Sequence, residues 1–288
     1  KPAFCFAGAY YVKYPERTRD LESMLAYLPN FRPVDIYDRN YGGTHPDYQF
    51  PPQYQPFIVG NLKYHEIDKA YKGYEWGINL NSIKQSQSMF ARRVFELLAC
   101  NTLVVSNYAR GLQLMFGDLV LASDSGQHLL QRLQALEAAD ALPRVRALAL
   151  REVLRHHTYQ DRLAQVVSRI LQKDAPAKGP QVVVLSRVKH TEQLSHVLAQ
   201  FAQQTHARRR LVLVGEPGLQ PESLPEQVRW LDLNASQDVM LHELATGPYW
   251  LAVMVPDDHY AAHYLEDLAL ATLYAHTPVV GKGSRFVW

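Results

Sequence analysis

The first half of the chain alternates short apolar runs with segments in which apolar residues recur at helical spacing. Residues 3–8 and 34–37 are predicted strands, and Pro15 begins a helix between them. This strand–helix–strand order is the unit of a doubly wound parallel sheet, so the fold class predicted is α/β and Rossmann-like. Further strands are predicted at 57–59, 76–79, 102–105 and 118–122, and buried helical positions at Leu21, Leu25, Leu28, Leu129, Leu133 and Leu136.

The stretch 79–107 organises this half of the chain, because it reads as strand, loop, helix and strand in close succession. Ser86 and Ser88 are candidate N-caps for a helix that begins near Met89. Asn101 follows this helix, where a left-handed residue is expected, and Asn tolerates that conformation best after glycine. The next strand is short and β-branched, as in a buried parallel sheet.

Polar side chains on this helix are the first candidates for chemistry. Ser88, Arg92 and Glu96 share one stripe because they are four residues apart. A helix N-terminus attracts phosphate, Arg92 and Arg93 offer guanidinium forks for a diphosphate, and Glu96 can accept hydrogen bonds from ribose or sugar hydroxyls. Spacing alone favours the simpler interpretation, an exposed Arg–Glu pair on an amphipathic helix.

A second candidate for phosphate binding is the end of the first strand. Gly8 could let a phosphate approach the backbone there, with Arg17 or Arg19 nearby. The same glycine is equally explained as ordinary turn chemistry, since no GxGxxG motif accompanies it.

A second α/β pattern follows a short Pro, Gly and Ala segment. The predicted domains are therefore 1–173 and 181–288, joined by a linker at 174–180. In the second domain a helix over 191–205 lies between apolar runs. Its predicted strands are 182–186, 211–214, 228–231 and 250–254.

Composition narrows the function classes. The 288 residues suggest two domains, and 47% hydrophobic content with 17 Tyr describes a foldable globular protein. A net charge of +2 disfavours nucleic-acid binding. Cys5 and Cys100 are the only cysteines, which predicts no disulfide framework and fits a reducing compartment. No apolar run is long enough for a membrane span, and the start at Lys1 suggests a segment of a longer polypeptide with further domains.

The runs FELLACNTLVVSN and RHHTYQDR resemble the donor-nucleotide region of GT-B glycosyltransferases, particularly the CgeB-like "glycosyl transferases group 1" branch. The resemblance spans residues 1 to about 173 and implies the C-terminal half of a GT-B enzyme. It implies that Glu96 holds the ribose or the donor sugar, and Ser88 stands where the family has an earlier Glu. The general base of such enzymes comes from the other half, so no catalytic residue is assigned.

The later runs VVVLSRVKHTEQLSHVLAQFAQQT and ATGPYWLAVMVPDDHYAAHYLEDL resemble the nucleotide-binding front of a GT-A glycosyltransferase of the family 2 type. The resemblance implies a partial GT-A-like α/β domain with an Asp-x-Asp metal signature for Mn²⁺ or Mg²⁺. Asp257 and Asp258 occupy this place, with Val255 where the first Asp is expected. A capping pair for a helix over 259–274 explains the two aspartates about as well.

Together these resemblances predict part of a modular glycosyltransferase that moves a sugar from a nucleotide-sugar donor to a glycan or lipid-linked acceptor. Bacterial envelope or surface polysaccharide synthesis is the expected setting, in the cytoplasm or at the periphery of the inner membrane. The alternative is a catalytically degenerate scaffold or glycan-binding module, which Ser88 and Val255 both favour. A doubly wound domain of unrelated use is the third possibility.

Overall fold

The computed structural model of this protein describes residues 1–174, 178–237 and 239–283. The chain divides into two compact units between Asp161 and Arg162. Each unit contains one parallel sheet, of six strands in the first and four in the second, and no described strand joins both sheets. The architecture is therefore mixed α/β with parallel sheets, the class that the alternating pattern predicts.

The predicted linker at 174–180 is only partly described. Residues 175–177 of this segment lie outside the described residues. The division at Asp161 falls before the predicted linker, within the first turn of a helix. The predicted domain boundaries therefore stay a prediction.

The first sheet has the strand order β3-β2-β1-β4-β5-β6, with every neighbouring pair parallel. Its strands are β1 Phe4–Gly8, β2 Val34–Asp38, β3 Ile58–Gly60, β4 Trp76–Asn79, β5 Leu103–Ser106 and β6 Leu121–Ala122. The helices are α1 Pro15–Tyr27, α2 Ile67–Gly73, α3 Arg93–Ala99, α4 Arg110–Phe116, α5 Gly126–Ala138 and α6 Leu142–His156, followed at the division between the units by α7 Tyr159–Leu171.

Apolar side chains cover both faces of this sheet. Phe4 and Phe6 of β1 are fully buried in the cluster that includes the inward faces of α1 and α5. Cys5 and Ala7 point to the other face, in the cluster with α3, α4 and α6. Successive strand side chains alternate between faces, so an uninterrupted apolar strand is buried on both. Each fully buried large side chain contributes about 1.5–3 kcal/mol to this core.

Several predicted elements are shorter than the sequence pattern indicates. The strand expected over 118–122 is reduced to β6, because residues 117–119 form a 3-10 turn instead. The Tyr- and Pro-rich loop that begins at Tyr41 packs on the first unit. Its Phe50 is buried with the ring centroid 5.2 Å from that of Tyr10.

The second unit has the strand order β10-β7-β8-β9, again with parallel neighbours. Apolar clusters lie on both faces of its sheet. Its elements are β7 Gln181–Arg187, α8 Thr191–Ala202, β8 Arg209–Gly215, β9 Val228–Asp232, β10 Tyr249–Val253 and α9 Tyr264–Ala271. Across the described parts of both units, no helix is long and apolar enough to cross a membrane.

Candidate functional site

The strand topology of the first sheet points to the carboxyl ends of β1 and β4 as the place where a ligand would bind. β1 pairs with β2 on one side and with β4 on the other, so the chain's progress across the sheet reverses between β1 and β4. At such a reversal the loops that follow the two strands leave in opposite directions and open a crevice. The residues that follow Gly8 and Asn79 line this point.

Three arginines from separate elements lie near enough to one another, around the end of β1, for their charges to interact. Arg17 lies in the first turns of α1, Arg39 follows β2 directly, and Arg93 is the first residue of α3. Arg17 is buried, and its Nη1 donates to the Ala9 carbonyl at 3.1 Å. Its guanidinium also lies 4.8 Å from the ring centroid of Tyr11, on the same loop as Ala9. We call Arg17, Arg39 and Arg93 the arginine cluster.

The arginine cluster carries uncompensated positive charge. Burial lowers the pKa of the Arg17 guanidinium, and the charges of Arg93 and Arg39 lower this pKa further while Tyr11 opposes them. No carboxylate of the described chain lies within ion-pair distance of these three side chains. The Nε atom of Arg93 is buried without a hydrogen-bond partner among the described residues. A buried donor without an acceptor costs free energy unless a ligand or water supplies one.

The start of α1 adds to this positive region. Tyr14 precedes the helix and provides no side-chain cap, and Pro15 has no amide hydrogen. The amides of Glu16 and Arg17 are therefore donors of the kind that bind phosphate at helix N-termini. The carboxylate of Glu16 in the same turn partly offsets the helix dipole.

A buried polar network lies at the carboxyl ends of β4 and β5 in the same sheet. Asn79 ends β4 and Ser106 ends β5, and both are fully buried. The Nδ2 of Asn79 donates to the Ser106 hydroxyl at 3.0 Å and to the Asn81 Oδ1 at 3.2 Å. Asn79 Oδ1 has no hydrogen-bond partner in the described structure. Polar residues that directly follow two buried strands are the sequence signal that could have predicted this network.

The helix predicted to begin near Met89 begins four residues later. α3 starts at Arg93, and Ser88 lies in the preceding loop rather than at a helix N-cap. The hydroxyl of Ser86 accepts hydrogen bonds from the amides of Ser88 and Met89 at 3.3 and 3.0 Å, which stabilises a turn instead. The N-cap predictions for Ser86 and Ser88 were therefore wrong, and Ser88 does not share a helical stripe with Glu96.

The two neighbouring arginines of the predicted diphosphate site point to different surroundings. Arg92 is exposed and pairs with Glu96, with 2.7 Å between its Nε and the Glu96 Oε1. Tyr159 and Tyr64 also interact with Arg92. Arg93 instead lies beside β1, 5.9 Å from the ring centroid of Phe6. The structure thus brings Arg93 to the arginine cluster and leaves Arg92 and Glu96 paired on the outer face of α3.

Gly8 lies where the sequence places it, at the end of β1. Its carbonyl accepts a hydrogen bond from the Arg39 amide at 2.8 Å, which links the ends of β1 and β2. A Cβ atom at this position would lie 2.4 Å from the Phe6 ring, so a side chain here would displace that ring. Among nearby tyrosines, Tyr71 is buried in the core and Tyr64 is 86% exposed.

A cavity of about 340 Å³ lies at the opposite, amino edge of the first sheet. It is lined in part by Tyr74, Glu75, Thr102 and Arg146. Its charged groups are compensated, since Arg146 and Glu75 form an ion pair at 3.3 Å. Parallel α/β sheets bind ligands at the carboxyl ends of their strands, so the arginine cluster is the better candidate site.

In the second unit, the predicted metal residues follow β10. The Oδ1 of Asp257 accepts from the Gln193 side chain at 2.9 Å, and the Asp258 carbonyl lies 3.0 Å from the His196 Nε2. The helix after them begins only at Tyr264, so the capping interpretation of the two aspartates was wrong. Within the described residues, no group of three or more His, Cys, Asp or Glu side chains could hold a metal ion.

Comparison with known families now bears on this geometry. Residues 26–168 match a family model described as "Glycosyl transferase-like". The match supports a GT-B-like glycosyltransferase domain. Arg39, Arg93 and Glu96 lie inside the matched segment, whereas Arg17 precedes it. Among curated proteins, none matches the chain.

The family match and the parallel sheet of the first unit are consistent with the same fold class. A GT-B-like glycosyltransferase domain has a Rossmann-like fold, and the six-stranded sheet of the first unit has this architecture. The match supports a general glycosyltransferase function, with a sugar donor and an acceptor as its substrates.

Proposed function

We propose that the first unit binds the diphosphate of a nucleotide-sugar donor at the arginine cluster. The observation that carries the proposal is the convergence of Arg17, Arg39 and Arg93 without any carboxylate partner in the described chain. A sugar diphosphate carries concentrated negative charge, and guanidinium groups bind phosphate oxygens through paired, charge-assisted hydrogen bonds. The unpartnered Nε of Arg93 supplies one such donor.

The remaining donor contact is assigned to Glu96. Its side chain is 36% exposed, and Arg92 holds its Oε1 at 2.7 Å. The second carboxylate oxygen is then available to a ribose or sugar hydroxyl, in agreement with the role that the CgeB-like resemblance implies. Arg92 acts as a positioning residue in this arrangement, whereas Arg93 contacts the diphosphate. Ser88 contributes at most a loop contact near the donor.

The wider proposal is a modular glycosyltransferase that builds a bacterial envelope or surface polysaccharide from the nucleotide sugar. The second unit is proposed as a partial GT-A-like domain, in which Asp257 and Asp258 would share Mn²⁺ or Mg²⁺ with the diphosphate of a donor bound to that unit itself. Aspartate oxygens suit these hard cations, but Asp257 already accepts from Gln193 and Val255 supplies no ligand. These two features favour the second candidate, a degenerate glycan-binding module, for this unit.

Calorimetric titration with UDP, GDP, CMP and dTDP, and with their sugar conjugates, tests the first proposal. One nucleotide class should bind the parent chain, and Arg93→Gln should weaken it by about tenfold or more, as expected for loss of a charged hydrogen bond. Arg144→Gln is the matched control, because Arg144 is an exposed arginine of α6 far along the chain from the cluster. Equal affinity in the Arg93→Gln variant and the parent would refute the assignment, as would failure of every nucleotide to bind.

Repeating the titrations with and without Mn²⁺ addresses the second unit. If Asp257 and Asp258 hold a cation with the donor, Asp257→Asn should abolish any Mn²⁺-dependent part of the binding. Binding that is independent of Mn²⁺ in both proteins would favour the degenerate module.

A further inference from the structure

The arginine cluster depends on elements that are distant in the chain. Arg17 lies on α1, and Arg93 begins α3 after the loop that follows β4. Nothing in the local sequence fixes the distance between them. A buried set of polar side chains connects the two elements directly, and it starts at Asp20, three residues after Arg17 on the same helix.

Asp20 receives two strong hydrogen bonds at one oxygen. Its Oδ2 accepts from the Lys84 ammonium at 2.8 Å and from the Asn107 side-chain amide at 2.7 Å. Lys84 also pairs with Asp124 at 3.1 Å, so its charge lies between two carboxylates. The side chains of Asp20 and Lys84 are only 8% and 19% exposed. An ion pair so placed is much less screened than a surface pair.

The connection continues from Asp20 to the start of α3. The Oδ1 of Asn107 accepts from the Asn81 amide at 2.7 Å. The Oδ1 of Asn81 then accepts from the Ala91 amide at 2.9 Å, two residues before Arg93. Every step in this path is a hydrogen bond within ordinary distance, and Asp20, Asn81 and Asn107 are all buried.

The loop between Asn81 and Arg93 is also held on its outer side. The amide of Arg110 donates to the Lys84 carbonyl at 2.7 Å, and the amide of Gly111 donates to the Ser86 carbonyl at 2.9 Å. A Cβ atom at Gly111 would lie 2.7 Å from the Gln87 carbonyl oxygen, so the loop backbone packs directly on this glycine. The loop is therefore fixed by Lys84 on one side and by the start of α4 on the other.

We propose that Lys84 is a positioning residue, which with Asp20 locks the loop before α3 and so sets Arg93 beside Arg17. The inference rests on the proposed donor site. Lys84 does not contact the donor in this assignment; it acts through the loop. Burial lowers the pKa of Lys84, but the hydrogen bonds that its ammonium donates to Asp20 and Asp124 outweigh this effect, so the pKa is raised. Lys84 therefore keeps its charge through the neutral range.

The test compares Lys84→Met with the parent chain in two measurements. Hydrogen exchange should become faster for the backbone amides of residues 82–92, because the ion pair no longer holds the loop. Affinity for the nucleotide found to bind the parent should fall by about tenfold, a size typical of coupled neighbouring sites. Lys84→Arg keeps the charge and should restore much of both properties. Lys72→Met, which removes an exposed lysine paired with Asp68, is the control.

A second variant perturbs the same loop without touching the ion pair. Gly111→Ala keeps an ordinary helical backbone, but its methyl group must push the Gln87 carbonyl away. It should weaken nucleotide binding as Lys84→Met does. Gly218→Ala, at a glycine with open space around its Cβ position, is the matched control and should change nothing.

The outcomes separate the positioning role from the donor site itself. Unchanged exchange over residues 82–92 in Lys84→Met would overturn the positioning role, and so would faster exchange with unchanged affinity in both variants. If the parent binds no nucleotide, the proposed function fails, and the exchange measurement alone then decides whether Lys84 fixes the loop. Faster exchange together with weaker binding, reversed in Lys84→Arg, supports the proposal.

Discussion

At the scale of single residues, the site depends on which neighbour each charged side chain finds. Arg92 and Arg93 are adjacent in the sequence, yet only Arg93 reaches the buried end of β1, because consecutive helical positions point about 100° apart. Arg92 forms an exposed ion pair with Glu96, which stabilises the fold by only about 0–1 kcal/mol. This ion pair therefore matters more for the orientation of the Glu96 carboxylate than for the stability of the fold.

Glu96→Gln should separate these two roles. Loss of the carboxylate should weaken nucleotide-sugar binding by about tenfold or more, because a charged acceptor for a hydroxyl is removed. The melting temperature should change little, since the pair with Arg92 is exposed. Binding is measured by calorimetry and stability by thermal unfolding. Undiminished affinity in this variant would remove Glu96 from the donor site.

Asp38 provides a pH-dependent prediction at the same scale. It ends β2, is 6% exposed, and its Oδ1 accepts from the Asn40 amide at 3.0 Å. Burial raises the pKa of this carboxyl, and the hydrogen bond from Asn40 only partly opposes the shift. The folded state therefore binds the proton more tightly than the unfolded state, so ionised Asp38 destabilises the fold above its folded pKa and has no effect below the unfolded value.

Asp38→Asn should accordingly raise the free energy of unfolding at pH 7 by about 1 kcal/mol, a common size for one substitution. The gain should shrink as the pH falls toward 4. Urea unfolding of variant and parent at both pH values measures the difference. Asp118→Asn, at a side chain that is 91% exposed, should give no such pH-dependent gain. A variant less stable than the parent at pH 7 would show that ionised Asp38 is compensated.

At the scale of secondary-structure elements, the first and last residues of a helix depend more on backbone conformation and capping hydrogen bonds than on the spacing of apolar residues. Pro15 begins α1 as its fixed φ predicts, and Asn101 follows α3 with a positive φ of 60°. The start of α3 differs from the prediction because Ser86 closes a turn and Asn81 binds the Ala91 amide. These contacts come from outside the helix, so the periodicity of the helix did not reveal them.

The left-handed residue after α3 gives a prediction at this scale. Asn101→Ala should lower the free energy of unfolding by about 1 kcal/mol, because a β-carbon is disfavoured at positive φ. Asn101→Gly should be at least as stable as the parent, since glycine adopts this conformation freely. Denaturant unfolding of the three proteins measures the order. Equal stability of Asn101→Ala and Asn101→Gly would contradict the explanation.

At the scale of the whole molecule, two parallel sheets with separate cores imply two cooperative units. The apolar clusters of the first sheet and those of the second share no residue. The sequence predicts the junction between the domains at 174–180, whereas the contacts within the structure divide the chain at Asp161. The two boundaries therefore differ in the unit to which they assign α7. Units with separate cores are expected to keep their fold when the junction is cut.

Limited proteolysis tests this organisation. A brief digestion should cleave near Ala177 and leave two fragments, whose masses place the cut within the predicted linker. Each fragment should retain a cooperative thermal transition, because each has its own core. A cut inside α7 would place the domain boundary nearer to Asp161. A fragment without a cooperative transition would show that the two units do not fold independently.

The amino-acid sequence by itself determined the α/β class and the approximate positions of most helices and strands. It could do so because these signals are local. The spacing of apolar residues, the proline at Pro15 and the left-handed Asn101 each influence the backbone within a few residues of their own position. The strand order, the meeting of Arg17, Arg39 and Arg93, and the path from Asp20 to Ala91 were decided only by the tertiary structure. These contacts join residues up to 87 positions apart, as between Asp20 and Asn107, and no local pattern specifies such a pairing. The folded chain also determines which charged side chains are buried and which have a partner, and these surroundings set the pKa of each group.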